Sequence, residues 1–366
     1  MKLFKGGARV QATLLAAALV LTYAQAQATT VRVHYPAGQE GIQVRADKGP
    51  MNWESGAPAT PVAGSPDVWS YTWPDALGPV AMKPTLGADK VSIGGVYKLA
   101  AGATVDVYPF FGAPFGKVAI VKDIDSPQLH DKRALRIYLP PSYAENPAKR
   151  YPVLYMHDGQ NLFDARTASY GVEWGVAKTV NRLVATGAMD EVIVVGIDNT
   201  PERIPEYTPC CDPKYGGGKL DAYARFVTET VKPYVDRNYR TLADKDHTAI
   251  MGSSLGGIAS VAIAERYPNI FSKAGGMSSS FWWNGGALVG SVPAHLPVKF
   301  YLDAGTEDDG LDDTVKMRDA MLAKGWRNGV DLMFYKAEGG RHNEASWAAR
   351  VEKPLAWFFP WGSTAQ

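Results

Sequence analysis

The chain has 366 residues, 46% of them hydrophobic and 20% charged, enough for one large core and a smaller one. Lys plus Arg number 38 against 37 Asp plus Glu, a formal net charge of +1. No basic run is long enough to track a phosphate backbone, so nucleic acid is excluded as the expected partner.

The first segment, MKLFKGGARVQATLLAAALVLTYAQAQA, carries basic residues, then an apolar run from Leu14 to Leu21, then small residues at alternate positions. It predicts a signal peptide over residues 1–28, with Ala24-Gln25-Ala26 or Ala26-Gln27-Ala28 fitting a small-x-small cleavage site. The apolar run is too short and Ala-rich for a stable membrane span, so the expected product is secreted or periplasmic.

Residues 29–112 contain short strand-like runs, VRVHY, GIQVRA, VWSYTW and ATVDVYPF, separated by Pro, Gly, Asn and Asp. They predict a small all-β sandwich. Trp53, Trp69, Tyr71 and Trp73 offer flat faces to sugar rings, but Trp69, Tyr71 and Trp73 alternate on one strand and equally suit a sandwich core.

Residues 113–362 change character. The runs YPVLYMHDG, EVIVVGIDN, HTAIMGSS and VKFYLDAGT are apolar and end in polar or glycine residues, with helical periodicity between them. That alternation predicts a mostly parallel sheet flanked by helices, an α/β fold. The two cysteines are neighbours, Cys210 and Cys211, and cannot form a disulfide framework; a local bridge and two thiols are equally open.

Gly252-Ser253-Ser254-Leu255-Gly256 matches G-x-S-x-G, a sharp strand-to-helix turn that lifts its central residue above a sheet. HTAIM before it and GIASVAIAERYP after it supply the strand and the helix. Ser254 is therefore the candidate nucleophile. A P-loop would need Lys where Ile258 stands.

A serine hydroxyl needs a base and an orienting acid. Of six histidines, only His342 follows Ser254 at the C-terminal end of a predicted strand, in AEGGRHNEASW. The acid is sought in GTEDDGLDD; Asp308 is favoured, with Glu307 next. Those carboxylates do not have EF-hand spacing, and neither a metal nor a cofactor is expected. The oxyanion formed on attack needs two backbone N–H groups, assigned to Leu255 and, after the first core strand, Gln160. His157 and Asp158 are read as bracing that loop. Trp282 and Trp283 are expected to wall the substrate pocket.

From Lys117 to Trp361 the chain resembles the esterase D family of α/β-hydrolases, especially its enterochelin-esterase-like branch. The resemblance rests on YPVLYMHDGQNLFD, VIVVGIDN, GGGKLDAYARFVTETVKPYVDRNYRT, MGSSLGG, SSSFWWN and RHNEASWAAR. It implies an α/β-hydrolase with Ser254 as nucleophile, His342 as base and Asp308 as acid. Similarity to the mycolyltransferases points to Gln160 as the second oxyanion amide; the vicinal cysteines lie outside the family pattern. The N-terminal region is weakly similar to carbohydrate-binding sandwiches.

The function expected is a serine esterase acting through an acyl-enzyme on a small-molecule or polysaccharide ester, such as an acetylated or feruloylated sugar. A siderophore trilactone or acyl transfer are alternatives. A non-catalytic carbohydrate-binding protein would lack a triad position, and none is missing. The oligomeric state is not legible.

Overall fold

A computed structural model describes residues 28–73 and 78–363; the predicted signal peptide lies outside the described residues apart from Ala28. Two small sheets come first. One joins Thr60–Val62, Ser65–Trp73, Thr29–His34 and Thr104–Val107; the other is built on Ile42–Ala46 and Val80–Leu86. Their alternating residues close one core around Val31, Val33, Val44, Met82 and Leu99. Trp69 and Trp73 are part of that core, so they have no face left for a sugar.

The second body is a sheet of eight strands: β1 (Lys117–Ser126), β2 (Asp131–Leu139), β3 (Val153–His157), β4 (Ile193–Ile197), β5 (Thr248–Ser253), β6 (Lys273–Met277), β7 (Lys299–Glu307) and β8 (Leu332–Arg341). The spatial order is β1-β2-β4-β3-β5-β6-β7-β8. β1 and β2 run antiparallel to their neighbours, and from β4 to β8 every pairing is parallel. This is the α/β-hydrolase arrangement.

β3, β4 and β5 are buried at every position, which explains why they read as unbroken apolar runs rather than alternating ones. Helices cover both faces, so the loops at the C-terminal strand ends are left to form the site. Among the described residues no helix is long and apolar enough to cross a membrane.

The two bodies meet through specific contacts. The Trp361 ring sits over Gly94 and Gly95, where any Cβ would collide with it, and its Nε1 donates to Val96 O at 3.1 Å. The Glu145 carboxylate accepts from Tyr35 Oη, Phe111 N and Gly112 N at 2.6–2.8 Å.

Candidate active site

β5 ends in the turn Gly252–Gly256 and passes directly into the helix Leu255–Arg266. The turn is so tight that a Cβ on Gly252 would lie 2.8 Å from the Gly256 backbone and 2.9 Å from the His157 ring. Ser254 takes φ 56° and ψ −123°, a conformation that costs a non-glycine residue of order 1–3 kcal/mol. Hydrogen bonds on either side hold it there: Ser254 N donates to Met277 O at 3.0 Å, and Ser280 N donates to Ser254 O at 3.1 Å. Both serines border the cleft, but Ser253 is buried whereas Ser254 is partly exposed.

His342 Nε2 lies 2.9 Å from Ser254 Oγ. Its other ring nitrogen, Nδ1, is 2.8 Å from Asp309 Oδ1. The expected acid, Asp308, is therefore displaced by one residue. Asp308 has φ +52°, and this left-handed step turns its own side chain to solvent and the next one inward. Glu307 is occupied elsewhere, in an exposed ion pair with Arg341.

Burial pushes the Asp309 carboxyl up, but hydrogen bonds from His342, Ser278 and Gly305, with Arg350 nearby, outweigh it and hold the group below the usual carboxylate range. Asp309 thus stays ionised opposite the imidazole. Three other histidines are engaged elsewhere: His34 pairs with Asp106, His247 with Asp244 and His295 with Asp331.

Leu255 opens its helix, so its N–H has no intrahelical acceptor. Gln160 occupies the middle of a one-turn 3₁₀ helix, Gly159–Asn161, ahead of the first turn hydrogen bond, Asn161 N to Asp158 O at 2.9 Å. A Cβ on Gly159 would meet the Gly196 carbonyl carbon at 2.6 Å, so this turn presses directly on β4. Asn199 clamps the Gln160 side chain at both ends, accepting from Nε2 at 2.7 Å and donating its N–H to Oε1 at 3.1 Å.

His157 and Asp158 support the turn from beneath and beside. His157 is buried, with Nδ1 2.8 Å from Tyr223 Oη, and burial lowers its pKa to about 4, opposed by Asp158. Asp158 accepts from Arg203 through both oxygens, at 2.7 and 2.8 Å, and from Asn199.

The cleft around Ser254 and His342 has a volume of about 670 Å³. Its walls include Asn161, Tyr170, Asn199, Arg203, Glu344 and Trp347. Trp282 and Trp283 are not among them. Trp283 is buried and donates Nε1 to Pro209 O at 3.1 Å; Trp282 is half exposed and packs on Tyr215. They clamp the loop that carries Cys210 and Cys211, which are joined in a disulfide. Arg203 and Trp347, not singled out in the sequence, reach the cleft from two short helices, the first outside every quoted motif and the second inside RHNEASWAAR.

A family model described as "Putative esterase" matches residues 126–358, well over half of the chain. The chain belongs to this esterase family. It is a carboxylic ester hydrolase of the α/β-hydrolase fold, as the strand order and the serine–histidine–aspartate line already indicate. The chain is 23% identical over 245 residues to the uncharacterised protein YbbA of Bacillus subtilis, covering 62% of this chain and 92% of that one. It is 26% identical over 226 residues to an endo-1,4-β-xylanase/feruloyl esterase of Xylanibacter ruminicola, covering 59% of this chain but only 28% of that longer protein. Among solved structures, the enterobactin esterase FES from Shigella flexneri superposes with a TM-score of 0.53 at 18% identity, covering 87% of each chain. This last likeness concerns the fold.

Proposed function

We propose that this esterase is exported and cleaves acyl groups from carbohydrate, through an acyl-enzyme on Ser254. The observation that carries the reading is the hydrogen-bonded line from Ser254 Oγ through His342 to the buried Asp309 carboxylate. His342 Nε2 takes the hydroxyl proton as Ser254 Oγ attacks the ester carbonyl carbon. The N–H groups of Leu255 and Gln160 receive the oxyanion. Collapse breaks the bond to the alcohol, which leaves with the proton from His342. Water then gives a proton to His342 and attacks the acyl carbon; the bond from that carbon to Ser254 Oγ breaks, Oγ takes the proton back from His342, and the acid is released. Asp309 keeps Nδ1–H directed away from the serine throughout and stabilises the imidazolium.

The cleft is larger than an acetyl group needs and falls in the range that encloses a drug-sized ligand. Trp347 and Tyr170 offer apolar faces beside polar Asn161, Asn199 and Arg203, which suits an aromatic acyl group bearing hydroxyls. The feruloyl esterase named among the relatives supports the same direction. The leader-like start of the sequence supports export.

The test is acid release from a feruloylated arabinoxylan oligosaccharide, an acetylated xylan, and a cyclic catecholate trilactone, each with wild type and Ser254→Ala. The expected result is highest kcat/KM on the feruloylated sugar, falling by at least about 10³-fold in Ser254→Ala. Preference for the trilactone would replace the sugar reading with the siderophore one. Ester formation with an added sugar outrunning hydrolysis would make the enzyme a transferase.

A further inference from the structure

Behind His342 the charges continue. Asp309 Oδ1 accepts from His342 Nδ1, while its Oδ2 accepts from Ser278 Oγ and Gly305 N, each at 2.6 Å, and from Arg350 Nη2 at 3.0 Å. Arg350 is itself shared: its Nε lies 3.1 Å from Oδ1 of Asp303, and both of these side chains are buried. Asp303 also accepts from Tyr301 Oη at 2.9 Å and from Ser278 N at 3.2 Å. Ser278 Oγ in turn accepts from Trp347 Nε1 at 2.8 Å and from Arg350. One cation therefore stands between two buried carboxylates, of which only the first touches the imidazole.

Resting on the reading of Ser254 and His342 as nucleophile and base, we infer that Arg350 and Asp303 are positioning residues that set the pH range of the triad, by dividing one buried positive charge between Asp303 and Asp309. With both carboxylates ionised the cluster carries a net −1, which a protonated His342 brings to zero. Without Arg350 it carries −2 and holds the imidazolium proton more tightly. With Asp303 neutral, the full guanidinium charge falls on Asp309 and the proton is held less tightly.

Burial pushes Asp303 up to about 6, opposed chiefly by Arg350 and by the hydrogen bond from Tyr301. That is the range in which a histidine ordinarily titrates, so the compensation strengthens as the solution becomes acidic. The other groups facing the cluster do not reverse these signs. Tyr301 is held neutral by its burial beside Asp303, with Tyr335 beyond it. Glu307 is paired with Arg341, and Asp158 with Arg203 across the cleft. Glu344, on the cleft wall, is unchanged in every variant below.

The experiment is kcat/KM against pH for p-nitrophenyl acetate with wild type, Asp303→Asn, Arg350→Met and Arg350→Lys. The acid limb is expected to move to lower pH by roughly half to one unit in Asp303→Asn and to higher pH by a similar amount in Arg350→Met. Arg350→Lys, which keeps the charge, is expected to restore the limb to within a few tenths of a unit. A structural role alone would lower activity in all variants without opposed shifts. Limbs that stay in place, or move in the same direction, overturn the inference. If Arg350→Met fails to fold by circular dichroism, the nearly isosteric Asp303→Asn decides alone: a downward shift supports the inference and a fixed limb overturns it. Ser254→Ala in the same assay separates the two levels. Activity surviving there defeats the reading of the site itself, whereas loss there with fixed limbs defeats only the role of Arg350 and Asp303.

Discussion

Asp308 and Asp309 stand side by side in an acidic loop, and the backbone alone separates their surroundings. The left-handed φ of Asp308 sends one carboxylate to solvent and the next against His342 Nδ1. Composition and spacing do not encode which of two adjacent turn residues faces inward. The available signal was weak: aspartate tolerates the left-handed region better than most residues, and Gly310 follows. Asp309→Asn is expected to cut kcat by about 10²–10⁴-fold, since the amide can orient the wrong tautomer, whereas Asp308→Asn changes it by less than about threefold. Steady-state kinetics on p-nitrophenyl acetate checks both. Equal losses in the two variants would contradict the geometric assignment. Ser254 was legible because its requirement is steric and local, with glycines where a Cβ cannot fit. Asp303 left a clue of another kind, a carboxylate inside the apolar run VKFYLDAGT, which demands a buried partner. Its partner, Arg350, closes the block RHNEASWAAR, in which nothing but the fold links it to Asp303.

At the scale of elements, the strand–turn–helix around Ser254 depends on close approach more than on backbone freedom. Gly252 does not have a positive φ, so its absent side chain matters only because Gly256 and the His157 ring fill the space. Gly252→Ala is expected to cost about 1–3 kcal/mol of stability by overpacking, and to depress kcat through displacement of Ser254. Thermal unfolding followed by circular dichroism measures the first effect; an unchanged midpoint would show that the turn has slack. The central strands were readable for the same reason that they are rigid, since burial on both faces requires continuous apolar sequence. The cleft wall was harder. Trp282 and Trp283 follow β6 and sit near the serine in sequence logic, but the loop from Pro209 to Tyr215 captures them. Aromatic type marks a residue as worth burying; it does not say against what.

Across the whole molecule, the small β-rich body is tied to the hydrolase sheet by Trp361 and Glu145, residues of the larger body that reach back to Val96 and to Tyr35. The alternating strands were legible before residue 112, while these ties depend on single side chains far apart in sequence. Ser254, Asp309 and His342 are likewise apart in sequence, and the sheet order brings them together. The most direct measurement is therefore made on the intact protein: reaction with a fluorophosphonate, followed by mass spectrometry of the whole chain and of its peptides. One adduct per chain on Ser254, absent from Ser254→Ala and present on Ser253→Ala, is the predicted result. No adduct, or an adduct on another serine in a chain whose esterase activity survives Ser254→Ala, would contradict the account.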